Sequence, residues 1–241
     1  PQDVIHCHFH MGTFLAVLMK LIGRVKYVVR TAHGDHEWMR GWDGFIQQTI
    51  IKTLIFIAFP LWVNLEAGVS RASVQILNER WLARLLKKEA TVIFNSIPEN
   101  FSNTLPPSKE RYQNTEKPVI GCIGRFTAQK GFEYCLDAVP QVVQALPGAK
   151  FWIIGDGELD SCLKEKAKTL GVEDSVVFWG RREDIQQLFG QMTLFVLPSI
   201  YEGLPTVVLE SMACEPYIRF TPDEFERKVE ELLGEKNPGE K

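Results

Sequence analysis

Short apolar runs alternate with longer segments of helical spacing along most of the chain. The runs predicted to be strands lie at 3–7, 26–31, 63–69, 91–94, 119–123, 150–154, 175–179 and 194–197. The helix-length segments between them include 12–22, 44–59, 70–88, a helix from 132, 184–190 and 205–214. Strands that alternate with helices are typical of an α/β fold whose sheets are parallel.

A break in this pattern divides the chain. Residues 98–117 are rich in proline, asparagine, serine and threonine, which are residues of loops. We therefore predict a partial N-terminal domain over 1–97, a linker over 98–117 and a C-terminal domain over 118–241. A last helix is predicted over 222–233, because Thr221 begins a capping box ahead of it. Both domains are predicted to be Rossmann-like and abbreviated, facing a cleft at the carboxyl ends of their strands.

One segment, Ile50–Val63, is almost entirely apolar. It is short for a membrane span, Lys52 lies near one end, and Pro60 lies inside it. A buried helix is the favoured interpretation, and a patch that rests on a membrane surface is the alternative.

Composition narrows the class of protein. Of 241 residues, 45% are hydrophobic and 24% are charged, as in ordinary globular proteins. The formal net charge of −3 gives no basic surface of the kind that nucleic-acid binding requires, so no nucleic-acid partner is expected. Five cysteines without a C-x-x-C pair indicate a reducing compartment, and we expect a cytoplasmic protein, at most peripheral to the inner face of the membrane.

The loop from Gly124 to Gly131 is the first candidate binding element. It follows a strand and leads into a helix, whose first N–H groups and dipole favour an anion. Arg125 and Lys130 add two positive charges beside that helix end. The loop therefore predicts a diphosphate site that needs no metal. The alternative is a turn with two solvated basic residues.

A second candidate element contains two glutamates eight positions apart, Glu202 in a loop and Glu210 in the helix that follows. The carboxylate of Glu210 could accept hydrogen bonds from two ribose hydroxyls. Glu202 would lie nearer to a transferred group. The stretch at the start of the helix, made of Gly203, Leu204, Pro205 and Thr206, is predicted to supply backbone N–H donors.

The segment from about 119 to 214 resembles the donor-binding domain of the GT-B retaining glycosyltransferases of family 4, the glycosyl transferases group 1 set. The G-R-x4-K-G loop of that family is matched by residues 124–131, and its E-x7-E element by Glu202 and Glu210. Gly155 matches the first glycine of its G-x-G turn. Residues 177–181, which end in Arg181, match the V-x-F-x-G stretch near the nucleotide base.

The N-terminal half resembles the same family more loosely. Residues 3–8 resemble its D-V-V-H-x-H strand, and residues 31–34 resemble its T-x-H-G turn. The histidine of that turn faces the transferred sugar in the family, so the resemblance assigns this role to His33. A metal cluster is the much weaker interpretation of the nearby histidines, namely His6, His8, His10 and His36.

The resemblance implies transfer of a sugar from a nucleoside diphosphate to an acceptor, with retention of anomeric configuration and no metal or other cofactor. Arg125 and Lys130 would stabilise the departing diphosphate. Glu210 would bind the ribose, while Glu202, the backbone at 203–206 and His33 would orient the sugar. Family habit suggests a role in cell-envelope or exopolysaccharide synthesis, with a carbohydrate or lipid-linked acceptor and peripheral membrane contact through Ile50–Val63.

The chain also departs from the family pattern. By comparison with the family we expect a truncated N-terminus, because the chain starts beyond the family's first strand and glycine-rich loop. We also expect a deletion after residue 214 that removes one or two strand–helix units. A catalytically inactive remnant, or a non-catalytic subunit that binds nucleotide sugars, is therefore the alternative. A nucleotide-sugar epimerase and a membrane-interaction module built on Ile50–Val63 are further alternatives.

Overall fold

The computed structural model describes residues 2–8, 10–34, 53–98, 101 and 117–214. The chain separates into two compact units, the first formed by Pro1–Pro98 with Ser199–Leu209 and the second by Glu99–Pro198 with Glu210–Lys241. Most of the predicted linker and the whole predicted terminal helix lie outside the described residues. The domain limits inferred from the sequence therefore stay a prediction.

The described part of the first unit contains a four-stranded parallel sheet in the order β1-β2-β3-β4. The strands are β1 (Gln2–Cys7), β2 (Val25–Ala32), β3 (Leu65–Gly68) and β4 (Thr91–Val92). Helix α1 (His10–Leu21) connects β1 to β2 and buries Thr13, Ala16 and Val17. This spacing of three and four residues is that of one helix face, so the sequence pattern accounts for how α1 packs.

The described part of the apolar segment, residues 53–63, folds into a π-helical turn (Leu54–Ala58) and a short helix α2 (Phe59–Trp62). Ile55 and Phe59 enter the core of the first unit. The other side is exposed and contributes apolar surface from Phe56, Ile57, Leu61 and Trp62. Among the described residues, no helix is long and apolar enough to cross a bilayer.

The single helix predicted over 70–88 is wrong, because it is two helices, α3 (Arg71–Glu79) and α4 (Trp81–Leu85). Its start is correct, since the Ser73 N–H donates to Ser70 Oγ at 3.1 Å. The helix is interrupted at Arg80, whose backbone is extended and whose side chain is buried. The Arg80 guanidinium donates to the backbone carbonyls of Leu77 and Ile55, at 2.8 and 2.9 Å. The bond to Ile55, a residue distant in sequence, helps to hold Arg80 outside helical geometry.

Arg80 also belongs to a buried triad of charges, Arg30–Glu66–Arg80. Arg30 Nη1 donates to Glu66 Oε1 at 2.9 Å, and Arg80 donates to both oxygens of the same carboxylate. All three residues are less than 9% exposed. The Arg30 guanidinium lies over the ring of Phe59, 5.1 Å from its centroid. One carboxylate thus compensates two cations that have lost their water.

The second unit also contains a four-stranded parallel sheet within its described residues, in the order β7-β6-β5-β8. Its strands are β5 (Val119–Ile123), β6 (Lys150–Ile154), β7 (Val176–Gly180) and β8 (Leu194–Phe195). The helices are α5 (Phe132–Ala145), α6 (Asp160–Thr169) and α7 (Ile185–Phe189). The core lies between this sheet and the helices and includes Cys122, Leu136, Ile153 and Leu163.

The strand order places a switch point beside β5. The chain moves from β5 to β6 and β7 on one side, and then crosses to β8 on the other side of β5. In parallel sheets, ligands bind beyond the carboxyl ends of the strands at such a point. The loops after β5 and β6 meet there with the residues that follow β8 up to Pro198. Helix α8 (Thr206–Ala213) follows the last of these loops.

Candidate functional site

The loop after β5 is held in place by its own backbone and by one buried aromatic residue, Phe126. The Gly124 N–H donates to the Ile154 carbonyl at 3.0 Å, and the Phe126 N–H donates to the Asp156 carbonyl at 2.7 Å. Phe126 is fully buried and meets the ring of Phe132 edge-on at 4.9 Å. The loop is therefore fastened to β6 and α5 without using its charged side chains.

Two glycines lie where the loop after β5 contacts the loops after β6 and β8. Gly155 has φ +140°, and a Cβ there would overlap the carbonyl oxygen of Gly124. Gly131 has φ +64°, and a Cβ there would overlap the carbonyl oxygen of Pro198. Both positions combine a backbone conformation that favours glycine with a contact that excludes any side chain. The loops after β5, β6 and β8 are thus fitted together backbone to backbone.

Two charged residues, Arg125 and Lys130, belong to the loop that leads into α5. Arg125 is exposed, and Lys130 is partly buried. Lys130 Cδ lies 3.7 Å from the position that a Cβ on Gly124 would occupy, so the lysine side chain runs across this glycine. Helix α5 begins after Gly131 and has 14 residues, so its N-terminus carries a substantial positive end. Two cations and a helix N-terminus together form a candidate anion site in the second unit.

Two further candidates lie in the second unit. Arg181 is exposed and follows Gly180, whose carbonyl accepts the Gly155 N–H at 2.9 Å. Glu210 lies in α8 and is partly buried. Burial raises the pKa of the Glu210 carboxyl above its ordinary value, because the charged form loses water.

The remaining candidates group with the first unit, where His33 lies against the loop that carries Gly203. A Cβ on Gly203 would overlap the His33 carbonyl oxygen, so the two backbones are in direct contact. Asn95 Nδ2 donates to the Leu204 carbonyl at 2.7 Å and fastens the same loop. The loop and the start of α8 include Glu202, Pro205 and Thr206. The structure therefore brings His33 close to the 202–206 segment, about 170 positions away in sequence.

The histidines near the end of β1 form a contact that the sequence analysis missed. His8 Nδ1 lies 2.9 Å from His33 Nε2, and His6 Nε2 lies 2.8 Å from Thr31 Oγ1. The pKa of His6 is lowered by burial and, to a lesser extent, by the neighbouring His8. The available signal was the alternation of histidines in residues 6–8, which places two of them near the carboxyl end of one strand.

The metal interpretation of these histidines gains no support. His10 lies 3.4 Å from Arg30 Nη2, and His36 is outside the described residues. Within the described ranges, no group of three or more His, Cys, Asp or Glu side chains is arranged to hold a metal ion.

Residues 117–218 match the family model described as glycosyl transferases group 1. This segment belongs to that family. The finding confirms the recognition made from the sequence motifs. All candidate residues except His33 lie inside the matched range, among them Gly124, Gly155 and Glu202.

Two glycosyltransferases are similar to this chain over most of its length. EpsF of Bacillus subtilis, named as a glycosyltransferase, is 32% identical over 220 residues, which cover 88% of this chain and 56% of EpsF. An uncharacterised glycosyltransferase of Methanocaldococcus jannaschii is 28% identical over 232 residues, which cover 88% of this chain and 55% of the relative. The chain thus spans about half the length of these two proteins.

Solved structures agree on the fold. HepE of Anabaena in complex with UDP superposes with a TM-score of 0.68 at 22% identity, over 88% of this chain and 57% of HepE. Together with the two parallel sheets, this likeness confirms the predicted GT-B-like α/β fold of the chain.

Proposed function

We propose that this chain binds a nucleoside-diphosphate sugar and transfers the sugar to an acceptor with retention of anomeric configuration. The observation that carries the proposal is the loop of the second unit that leads into the N-terminus of α5 and carries Arg125 and Lys130. The leaving group of such a transfer is a nucleoside diphosphate, which gains negative charge as the glycosidic bond breaks. Fixed positive charges stabilise that change most when they are in place beforehand.

The phosphate part of the site is proposed to act without a metal or other cofactor. The two basic side chains would supply the positive charge that a divalent cation supplies elsewhere. Their loop is already fastened by Phe126 and by its glycine contacts, so little reorganisation is needed when the diphosphate binds.

The other candidates are proposed to bind the rest of the donor. Glu210 would accept hydrogen bonds from the ribose hydroxyls, and the loops at Gly155 and Arg181 would lie near the phosphates and the base. His33, Glu202 and the backbone of residues 203–206 would orient the sugar. The contact between His33 and Gly203 supports a shared task for this group.

The names of relatives suggest the substrate class. HepE has been crystallised with UDP and with UDP-glucose, and a similar Escherichia coli enzyme uses UDP-Gal and a diphosphoundecaprenol acceptor. A Salmonella typhi relative is a Vi polysaccharide biosynthesis protein. We therefore propose a uridine nucleotide as donor and a role in cell-envelope or exopolysaccharide synthesis. The exposed Phe56, Ile57 and Leu61 support a lipid-linked acceptor or peripheral membrane contact, which vesicle flotation would measure.

Lys130→Ala should weaken binding of UDP while leaving that of uridine unchanged. A lost charge-assisted hydrogen bond costs about 1.5–3 kcal/mol, so the dissociation constant for UDP should rise roughly 10- to 100-fold. Arg125→Ala should cause a smaller rise, because Arg125 is exposed and screened by solvent. Isothermal titration with UDP and uridine, with and without a chelator, provides the measurement.

Lys168→Ala is the matched control, since Lys168 lies on α6 and pairs with Glu165 at 3.9 Å. It should bind UDP like the unmodified chain. Unchanged UDP affinity in both Lys130→Ala and Arg125→Ala would contradict the assigned diphosphate site. Tight UDP binding without turnover of any donor would instead support the non-catalytic alternative.

Glu210→Gln should remove a pH dependence from donor binding. The carboxylate accepts ribose hydroxyls best when ionised, so donor affinity should fall as pH drops through the raised Glu210 pKa. The fall should begin at a higher pH than for an ordinary glutamate. UDP-glucose suits the titration, because its diphosphate diester does not titrate in this range. A few-fold lower affinity at neutral pH and a flat profile are expected for Glu210→Gln.

The nucleotide-free chain gives an independent check on Glu210. A raised folded-state pKa stabilises the protein below the ordinary glutamate range, and that contribution is lost as pH rises through the folded-state value. Glu210→Gln should therefore melt at a higher temperature than the unmodified chain at neutral pH, but not in acid. Parallel melting curves across the pH range would contradict the shift.

A further inference from the structure

We propose that His8 is a positioning residue that fixes the ring orientation and tautomer of His33. The effect of His8 on catalysis rests on the proposed function, in which His33 orients the transferred sugar. The positioning of the His33 ring does not. Its structural basis is the contact of 2.9 Å between His8 Nδ1 and His33 Nε2, with ring centroids 5.2 Å apart.

The contact constrains the His33 ring because its backbone is already held. The carbonyl of His33 lies against Gly203, where any side chain would overlap it. With the backbone fixed there, a hydrogen bond at Nε2 determines how the ring is rotated about the bond to Cβ. His8 is placed for this by the end of β1, which pairs in parallel with β2 so that His6 lies opposite Val29.

The same hydrogen bond couples the tautomers of the two rings. Each neutral imidazole carries one N–H, so one nitrogen of the pair must donate and the other must accept. If His8 Nδ1 donates, His33 carries its own proton on Nδ1. If His33 Nε2 donates, His33 Nδ1 is an acceptor. The tautomer of His33 is therefore tied to that of His8, and with it whether Nδ1 of His33 offers a hydrogen-bond donor or an acceptor.

Other titratable groups around this pair are few among the described residues. His6 faces His8 from β1, with ring centroids 4.5 Å apart, and Glu202 lies beside Gly203 on the loop that touches His33. Arg30, on the neighbouring strand, is buried in its ion pair with Glu66.

Two substitutions of His8 separate the effect of its hydrogen bond from the effect of its size. In His8→Asn the amide group can stand near the place of Nδ1 and keep a hydrogen bond, whereas His8→Phe keeps a ring of similar size without one. Long-range proton–nitrogen NMR correlations of the side chains should show the same His33 tautomer ratio in the unmodified chain and in His8→Asn at neutral pH. His8→Phe should shift that ratio. Equal ratios in all three would overturn the proposal, whether or not the chain is an active transferase.

Kinetics test the catalytic consequence with UDP-glucose as the donor. His8→Phe should lower kcat about 10- to 100-fold, the range for partners that orient a functional imidazole, with little change in the KM for the donor or in UDP affinity. His8→Asn should recover most of kcat, because its amide can keep a hydrogen bond to His33. A shifted tautomer ratio with unchanged kcat would show that His33 has no role in transfer, which would contradict that part of the proposed function and leave the positioning intact.

Discussion

Gly155→Ala is expected to destabilise the second unit by about 2–5 kcal/mol, because strain at positive φ of about 1–2 kcal/mol adds to overpacking of about 1–3 kcal/mol. The new Cβ would overlap the Gly124 carbonyl oxygen, which belongs to rigid backbone and cannot rotate away. Any folded protein should also lose UDP affinity, because the loop that carries Arg125 would be displaced. Denaturant unfolding and UDP titration measure the two effects.

Gly171→Ala is the control that separates backbone strain at positive φ from steric overlap of the new Cβ. Gly171 also has positive φ, at +65°, but nothing lies within 4 Å of the position of its Cβ. It should lose only the strain contribution, about 1–2 kcal/mol, and should bind UDP normally. Equal losses in the two alanine variants would show that the loops after β5 and β6 can separate without cost, contrary to the fitted backbones described above.

Glu66→Gln is expected to destabilise the first unit by about 3–5 kcal/mol, the usual result when one partner of a buried ion pair is removed. Arg30 and Arg80 would remain buried with no anion between them, less than 9% exposed to water. The glutamine side chain keeps the shape of Glu66, so the loss reports on charge rather than on volume. Chemical denaturation monitored by fluorescence provides the free energy of unfolding.

Asp3→Asn is the control for Glu66→Gln, because it removes the anion of a solvent-exposed ion pair. Asp3 pairs with Lys26 at 2.9 Å, but both side chains are more than two-thirds exposed. Solvent screens such a pair, so its removal should hardly change stability. A similar loss in both variants would mean that burial does not set the strength of the Arg30–Glu66–Arg80 triad.

The elements that the sequence predicted well are those determined by neighbouring residues. Strands β5 and β6 match their predicted limits, because each is a short apolar run between loop residues. The start of α3 also follows from local chemistry, since the Ser70 hydroxyl caps a nearby N–H. The break at Arg80 could not be predicted, because it depends on Glu66 and Ile55, which are distant in sequence.

The candidate site also has a part that neighbouring residues determine and a part that depends on residues distant in sequence. The loop at 124–131 was predictable because its glycines and basic residues are consecutive. The contact of Gly203 with His33 and the pairing of His8 with His33 join separate parts of the chain. Motif resemblance named His33 and Gly203 individually, but only the fold shows that they touch. His8 carried no motif role that would have linked it to His33.

The way in which the loop after β5 is fastened decides where its sequence can vary. Backbone hydrogen bonds, glycine contacts and the buried Phe126 hold its shape, whereas Ala128 is exposed and Thr127 and Gln129 are partly so. Residues 127 and 128 can therefore be randomised together in a library without disturbing the loop conformation. Selection on such a library would change what the loop recognises while Arg125 and Lys130 stay in place, which makes this segment a natural starting point for directed evolution of donor preference.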